Sequence, residues 1–373
     1  MKILLDLRSI RPKQTGVGVS ALLTARALAG MKNPPEMTGI FLPGCVPDDL
    51  RNNMECIEVS TDYQDHPSGE IFLNFRLPEI ARKHNADILY NPGFMVPWVK
   101  TPFKKVVTIQ DLIAFQFPET YSMTFGLYIR YMTKFSSLSA HRIIAPSEYT
   151  KNDLADICRI DPGKIDLAPY YPDPVFQPVA EQDKVILRDE YELPEKFILC
   201  VGTLEKRKNQ TGLIRAFEIL KTRSDLPHRL ILVGLPGHGS SEIRKVMNNS
   251  EFRKDIIHRE RVNRKKLAVF YSCADLTVFP SFYEGFGLPA LEAMASGCPL
   301  AVSRAASLPE ITQDAAVYFQ PDNPAGMASV IQKALNSPAS LKNMSERGIQ
   351  QSKQFNMHKT AEALISAFTR VLE

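Results

Sequence analysis

Asp275-Leu-Thr-Val-Phe-Pro-Ser-Phe-Tyr-Glu-Gly-Phe-Gly-Leu-Pro-Ala-Leu-Glu-Ala-Met-Ala-Ser-Gly297 changes periodicity partway along its length. Asp275 to Phe279 is a short apolar run of strand type. From Leu288 onward Ala, Leu, Glu and Met are spaced as in a helix, with Pro289 suited to its first turn and Gly297 to its stop. The Glu284-Gly-Phe-Gly287 loop therefore feeds a helix N-terminus, where the amides of Phe286, Gly287 and Leu288 point outward at the positive end of the dipole. That predicts an anion site. Two acids, Glu284 and Glu292, would repel a bound phosphate unless they contact something else. Sugar hydroxyls are natural partners, because an ionised carboxylate only accepts hydrogen bonds.

The same strand-to-helix alternation extends outward in both directions. Strand-like runs are predicted at Lys2–Leu7, Gly39–Leu42, Asp87–Tyr90, Lys105–Ile109 and Arg142–Ala145. They recur at Lys196–Val201, Arg229–Val233, Asp255–His258, Asp275–Phe279, Pro299–Val302 and Ala316–Phe319. Helix-period segments separate most of them, as at Val19–Ala29, Ser147–Ile157, Thr211–Lys221, Arg264–Ser272 and Pro324–Leu335. Such alternation specifies an α/β protein with parallel sheets. Ala168-Pro-Tyr-Tyr-Pro-Asp-Pro-Val-Phe-Gln-Pro178 holds four prolines and reads as an interdomain linker. Two Rossmann-like doubly wound domains facing each other across a cleft are the expected architecture, with ligands at the carboxyl ends of the strands.

Composition narrows the function classes. With 373 residues, 44% hydrophobic and 23% charged, the chain is an ordinary packed protein of about two domains. A net charge of +4 does not point to nucleic acid. The excess lies after residue 180, partly between Glu242 and Lys266, read as a solvated surface or, less simply, a platform for an anionic partner. Six dispersed cysteines lack any C-x-x-C pair and fit reduced thiols, not a disulfide or zinc framework. No long apolar run is free of charge and Asp6 interrupts the first one, so a cytoplasmic protein is expected.

Two further segments carry chemistry. Gly16-Val-Gly-Val-Ser-Ala21 fits a loose G-x-G-x-x-A pattern at a helix start, with Glu36 as a weak candidate for the ribose acid of a dehydrogenase. The eight residues from Arg8 to Thr15 before the glycines argue against that class. Val201-Gly-Thr-Leu-Glu-Lys-Arg-Lys-Asn209 sets Lys206, Arg207 and Lys208 at a strand-to-helix turn. There cations meet diphosphates and neutralise charge growing on a leaving group.

Taken together these residues resemble the retaining glycosyltransferases of family 4, of GT-B architecture, and their mannosyltransferase-like branch. The resemblance rests on Glu284-x7-Glu292 in its context, Val-Gly-Thr-Leu-Glu-Lys-Arg-Lys-Asn209, Leu267–Ser281 and Ser307–Ala316 in order. It implies a first domain over 1–175 on the acceptor side, joined by a C-terminal helix at 358–373, and a donor domain over 176–357. It also implies metal-independent transfer of a hexose, first mannose from GDP-mannose, to a glycan or lipid-linked saccharide in surface polysaccharide synthesis. No cofactor is expected beyond the nucleotide-sugar substrate.

By that resemblance Glu284, Lys208 and Arg207 are catalytic. Gly16, Gly18, Thr203, Gly285, Phe286, Gly287, Leu288 and Glu292 bind the donor, and Gln110 and Asp111 lie on the acceptor side. Gln110 stands where relatives often carry His, and an amide cannot take a proton near neutral pH. That motivates one alternative, a nucleotide-sugar-binding protein without catalysis; a second alternative, independent of Gln110, is an epimerase or hydrolase on the same fold. Loops at Phe94–Lys105 and Phe115–Met132 are expected to select the acceptor, with Lys100, Lys104 and Lys105 available for peripheral membrane contact.

Overall fold

The computed structural model describes residues 1–12, 15–62 and 67–373. Lys13 and Gln14, which precede Gly16 in the sequence, lie outside the described residues. The chain divides into two compact units: Met1–Phe115, Thr124–Tyr171 and Phe355–Glu373 form the first, and Gln116–Met123 and Pro172–Gln354 the second.

The first unit holds β1 (Lys2–Asp6), β2 (Glu36–Phe41), β3 (Glu55–Glu58), β4 (Ile88–Asn91), β5 (Lys104–Thr108), β6 (Arg142–Ala145) and β7 (Ile165–Leu167). They are hydrogen-bonded in the order β3-β2-β1-β4-β5-β6-β7, all parallel. The second unit holds β8 (Phe197–Val201), β9 (Arg229–Val233), β10 (Ile256–Arg259), β11 (Leu276–Phe279), β12 (Leu300–Ser303) and β13 (Ala316–Phe319). Their order is β10-β9-β8-β11-β12-β13, again parallel. In each sheet the order reverses beside the first strand, between β1 and β4 and between β8 and β11. That reversal opens a crevice at the carboxyl ends, where α/β proteins bind ligands.

Buried β-branched and leucine side chains explain the central strands, because helices cover both faces of such sheets. The helix Met357–Leu372 packs on the first unit. Its Leu364, Ala367, Phe368 and Val371 join a core with Ile3, Leu5, Leu28 and Tyr90, and the Phe368 ring meets Tyr90 edge-on at 5.1 Å. Thr360 Oγ1 donates to the Pro169 carbonyl at 2.7 Å.

Three sequence expectations need correction. Phe115–Met132 is not a loop, since Met123–Ser139 is a helix. The short segment Gln116–Met123 belongs to the second unit, not to a first domain running unbroken to 175; its Phe117 ring lies 5.8 Å from Tyr283. Lys105 is buried, and its ammonium donates to the Pro97 and Val99 carbonyls and Ser139 Oγ at 2.8–3.1 Å, so it is withdrawn from any surface role. Among the described residues no helix is long and apolar enough to cross a membrane.

Candidate active site

The second unit gathers the β8 and β11 turns at its crevice. After β8 the chain runs through Gly202 to Asn209, whose left-handed backbone (φ 55°) starts the helix Gln210–Arg223. Asn209 Oδ1 accepts from the Gly212 amide at 3.2 Å, capping that helix. Its Nδ2 donates to the Pro280 carbonyl at 3.1 Å and to that of Pro321 at 2.7 Å. One side chain thus ties three segments together.

The three cations of the turn separate. Lys206 turns outward to Glu242 at 3.1 Å. Arg207 turns inward, 6% exposed, donating to the Tyr283 carbonyl, to Glu284 Oε2 at 3.2 Å and to Glu205. Lys208 Nζ lies 2.6 Å from Glu284 Oε1, which also accepts from Ser281 Oγ at 2.6 Å. Of the four acceptor positions of the Glu284 carboxylate, three are filled from within, leaving one on Oε2. Burial alone would raise this carboxyl. The charges of Lys208 and Arg207, with hydrogen bonds from Lys208 and Ser281, override it and hold the group down at about 2.

Backbone contacts fix the loop that carries Glu284. Ser307 Oγ donates to its carbonyl at 2.8 Å, and Ser303 Oγ to that of Ser281 at 2.5 Å. Gly285 and Phe286 are buried. Gly287 takes φ 94° as the residue before the helix Leu288–Ala295, a conformation that favours glycine, and a Cβ there would also press on Leu308 Cδ2 at 3.0 Å. The amides of Gly287 and Leu288 have no acceptor among the described residues. Thr203 is exposed at the rim, its carbonyl taken by Gln210 at 2.9 Å.

Glu292, one turn into that helix, meets Arg264. Arg264 Nη2 donates to Glu292 Oε1 at 3.2 Å, while its Nε faces Asp173 Oδ2 at 3.5 Å. The guanidinium lies over the Phe176 ring, 4.9 Å from its centroid. Burial pushes the Glu292 carboxyl up to about 7, opposed by the Arg264 charge and reinforced by Asp173. Arg264 belongs to the basic stretch Glu242–Lys266, so part of that stretch serves the crevice. Lys266 lies over the Tyr191 ring at 4.8 Å, and Arg244 pairs with Glu260 at 2.6 Å.

In the first unit Thr15 caps the helix Gly16–Ala29 by accepting from the Gly18 amide at 3.3 Å. A Cβ on Gly18 would stand 2.6 Å from the Ser9 carbonyl oxygen, whereas one on Gly16 would meet nothing within 4 Å among the described residues. Glu36 begins β2 at the amino edge of the sheet and pairs with Lys2 at 2.9 Å, away from the carboxyl ends where a dinucleotide ribose would sit. Gln110 Nε2 donates to Ser20 Oγ at 2.5 Å and to the Pro92 carbonyl at 3.1 Å. Asp111 Oδ1 accepts from the Ile113 amide at 3.1 Å.

Sequence reasoning missed the pair at the β1/β4 reversal. Arg8, fully buried, donates twice to Asp6 at 2.8 Å and once to the Thr61 carbonyl at 3.1 Å, over the Phe72 ring. The Asp6-x-Arg8 spacing was its only sequence signal.

Two such sheets, with an acid, lysine and arginine cluster at the reversal point of the second, define a GT-B glycosyltransferase. The family model described as Glycosyltransferase Family 4 matches residues 15–170, and that described as Glycosyl transferases group 1 matches residues 183–351. The chain belongs to glycosyltransferase family 4. It is 28% identical over 291 residues to O-antigen chain mannosyltransferase B of Escherichia coli, covering 77% of this chain and 75% of that one. It is 29% identical over 292 residues to the serotype-specific mannosyltransferase WbdA of the same species, covering 74% of this chain but only 35% of WbdA. Sucrose-phosphate synthase from Thermosynechococcus elongatus shares the fold with a TM-score of 0.78 at 21% identity, over 99% of this chain and 98% of that one.

Proposed function

We propose that this glycosyltransferase moves a mannosyl group, with retained anomeric configuration and without a metal, from GDP-mannose to a hydroxyl of a glycan or lipid-linked saccharide. The product would enter a surface polysaccharide. The observation carrying this reading is the Glu284–Lys208 ion pair at the β8/β11 reversal, beside the amides of Gly287 and Leu288. The kinship with O-antigen mannosyltransferases supports the choice of sugar.

In this reading the donor diphosphate takes the Gly287 and Leu288 amides, and Lys208 Nζ neutralises the charge that grows on the departing phosphate. Glu284 holds Lys208 in place and keeps one acceptor position on Oε2 for a donor-sugar hydroxyl. Arg207 fixes Glu284 from behind. Glu292 receives the ribose hydroxyls. The leaving phosphate accepts the proton of the attacking hydroxyl on the same face, so Gln110 need not titrate and serves as a hydrogen-bonding group.

Removing one such charge-stabilising group costs on the order of 10²–10³ in turnover. Lys208→Ala and Glu284→Ala are expected to lose that much with GDP-mannose and a saccharide acceptor. Activity within about tenfold of wild type in both variants would overturn the site. A thermal-shift panel of GDP-, UDP-, dTDP- and ADP-sugars tests the donor, and a larger shift with UDP-sugars would overturn GDP-mannose. Rapid hydrolysis without acceptor would favour a hydrolase instead.

A further inference from the structure

The helix Met123–Ser139 is apolar on two faces: Met132 is buried in the core with Tyr128 and Ile129 packed beside it, and a second apolar row faces outward. Thr133, Ser136 and Ser137 are buried; Ser136 Oγ accepts from the Val96 amide at 3.1 Å, and Ser137 Oγ donates to the Thr133 carbonyl at 2.8 Å. Leu127, Tyr131, Phe135 and Leu138 are exposed, at 59%, 59%, 38% and 56%. A surface helix of a globular protein ordinarily faces one apolar stripe to the core and leaves the opposite face polar, so the outward row is the anomaly. Trp98, 46% exposed, extends the face, and Trp98, Tyr131, Phe135, Leu138 and Ser139 line a depression of about 550 Å³. The Tyr131 and Phe135 rings lie 4.2 Å apart.

The face is built rigidly. Lys105 pins the Trp98 turn to the helix through Pro97, Val99 and Ser139. Lys164 Nζ donates to the Ser137 and Leu138 carbonyls at 2.8 and 3.0 Å, closing the helix C-terminus. An apolar patch supported in this way marks an interaction surface.

The two stretches that form it are one-sided in charge, and Glu70, a carboxylate that meets this helix from elsewhere, is engaged by the partly buried Tyr128. No carboxylate lies between Asp87 and Asp111, nor between Glu119 and Glu148, the two stretches that form the face. Lys100 and Lys134 are exposed on it. A second copy would bring these cations against one another, which disfavours self-association. An anionic, amphipathic surface satisfies both features.

We propose that this face rests on an anionic lipid bilayer, with Trp98, Tyr131, Phe135 and Leu138 entering the headgroup boundary and Lys100 and Lys134 reaching lipid phosphates. The surface does not depend on which sugar is moved.

Sedimentation of the full chain with phosphatidylglycerol–phosphatidylethanolamine vesicles, against phosphatidylcholine vesicles, tests it. Wild type should bind the anionic vesicles preferentially. K100Q/K134Q should bind them about thirtyfold more weakly, from about 1 kcal/mol per lysine. Tyr131→Ser with Leu138→Ser should lose about tenfold or more on every vesicle. Val185→Ser with Ile186→Ser, an equally exposed apolar pair on the helix Glu181–Glu190, should change nothing. Unchanged thermal unfolding certifies each variant, and Leu138→Ser alone carries the test if the double variant does not fold. Three results would overturn the proposal: no vesicle binding by wild type, equal loss in the Val185/Ile186 control, or a dimer that dissociates in Tyr131→Ser/Leu138→Ser with vesicle binding intact.

Discussion

Glu284 and Glu292 share one loop-helix segment and are both buried, yet their surroundings drive them in opposite directions. Glu284 sits at about 2 against an ordinary 4.5, because two cations and a hydroxyl face it. Its stabilising contribution, about 3 kcal/mol, is present above about pH 4.5 and lost as pH falls toward 2. Glu292 sits at about 7, so the folded chain prefers it protonated, and stability is lost as pH rises from about 4.5 through 7. Urea unfolding of the ligand-free protein should therefore show Glu284→Gln destabilised at about pH 7, with the gap closing in acid. Glu292→Gln should gain on wild type as pH rises from about 5 to about 8. The same pH trend in both variants would contradict these environments. The two acids were legible from their spacing around a helix start. Arg264, Asp173 and Ser307 were not, because nothing local in sequence says that a side chain far along the chain will fold against a given carboxylate.

At the scale of elements, Asn209 does more than cap a helix. It accepts the strain of a left-handed backbone, caps the helix Gln210–Arg223 and binds two carbonyls of neighbouring turns. Asn209→Ala should lower the unfolding free energy by about 3 kcal/mol. Asn209→Gly, which relieves the backbone strain but leaves the carbonyls unpaired, should lose about 2. Equal loss in chemical denaturation would remove the backbone from the account. The parallel strands of both sheet interiors were readable because their apolar runs are buried on two faces. β3 and β7 were not: Glu55-Cys-Ile-Glu58 and Ile165-Asp-Leu167 are short edge strands with charged residues. The helix Met123–Ser139 escaped notice because apolar residues on both its core and its exposed face blur the one-sided periodicity of an amphipathic helix.

At the scale of the whole molecule, the first unit is completed by the far end of the chain. Phe368 packs edge-on against Tyr90 with no exposure, and its deletion to alanine should cost about 3–5 kcal/mol. Calorimetry of Phe368→Ala should show the first unit's transition moving to lower temperature while that of residues 172–354 stays in place. A single transition moving as one would show the two units to be thermally coupled. The alternation of strand and helix made both sheets legible, whereas the exchange of Gln116–Met123 to the second unit left no trace in composition.

The return of Met357–Leu372 to the first unit also bears on synthesis. On the ribosome β1 emerges before residues 172–354 and Phe368 after them, so the second unit's sheet is complete while the earlier sheet still lacks its cover. Domains fold as units during translation. In this chain the sheet made earlier is sealed after the one made later, and during that interval Ile3, Leu5 and Tyr90 are the surface a chaperone would meet.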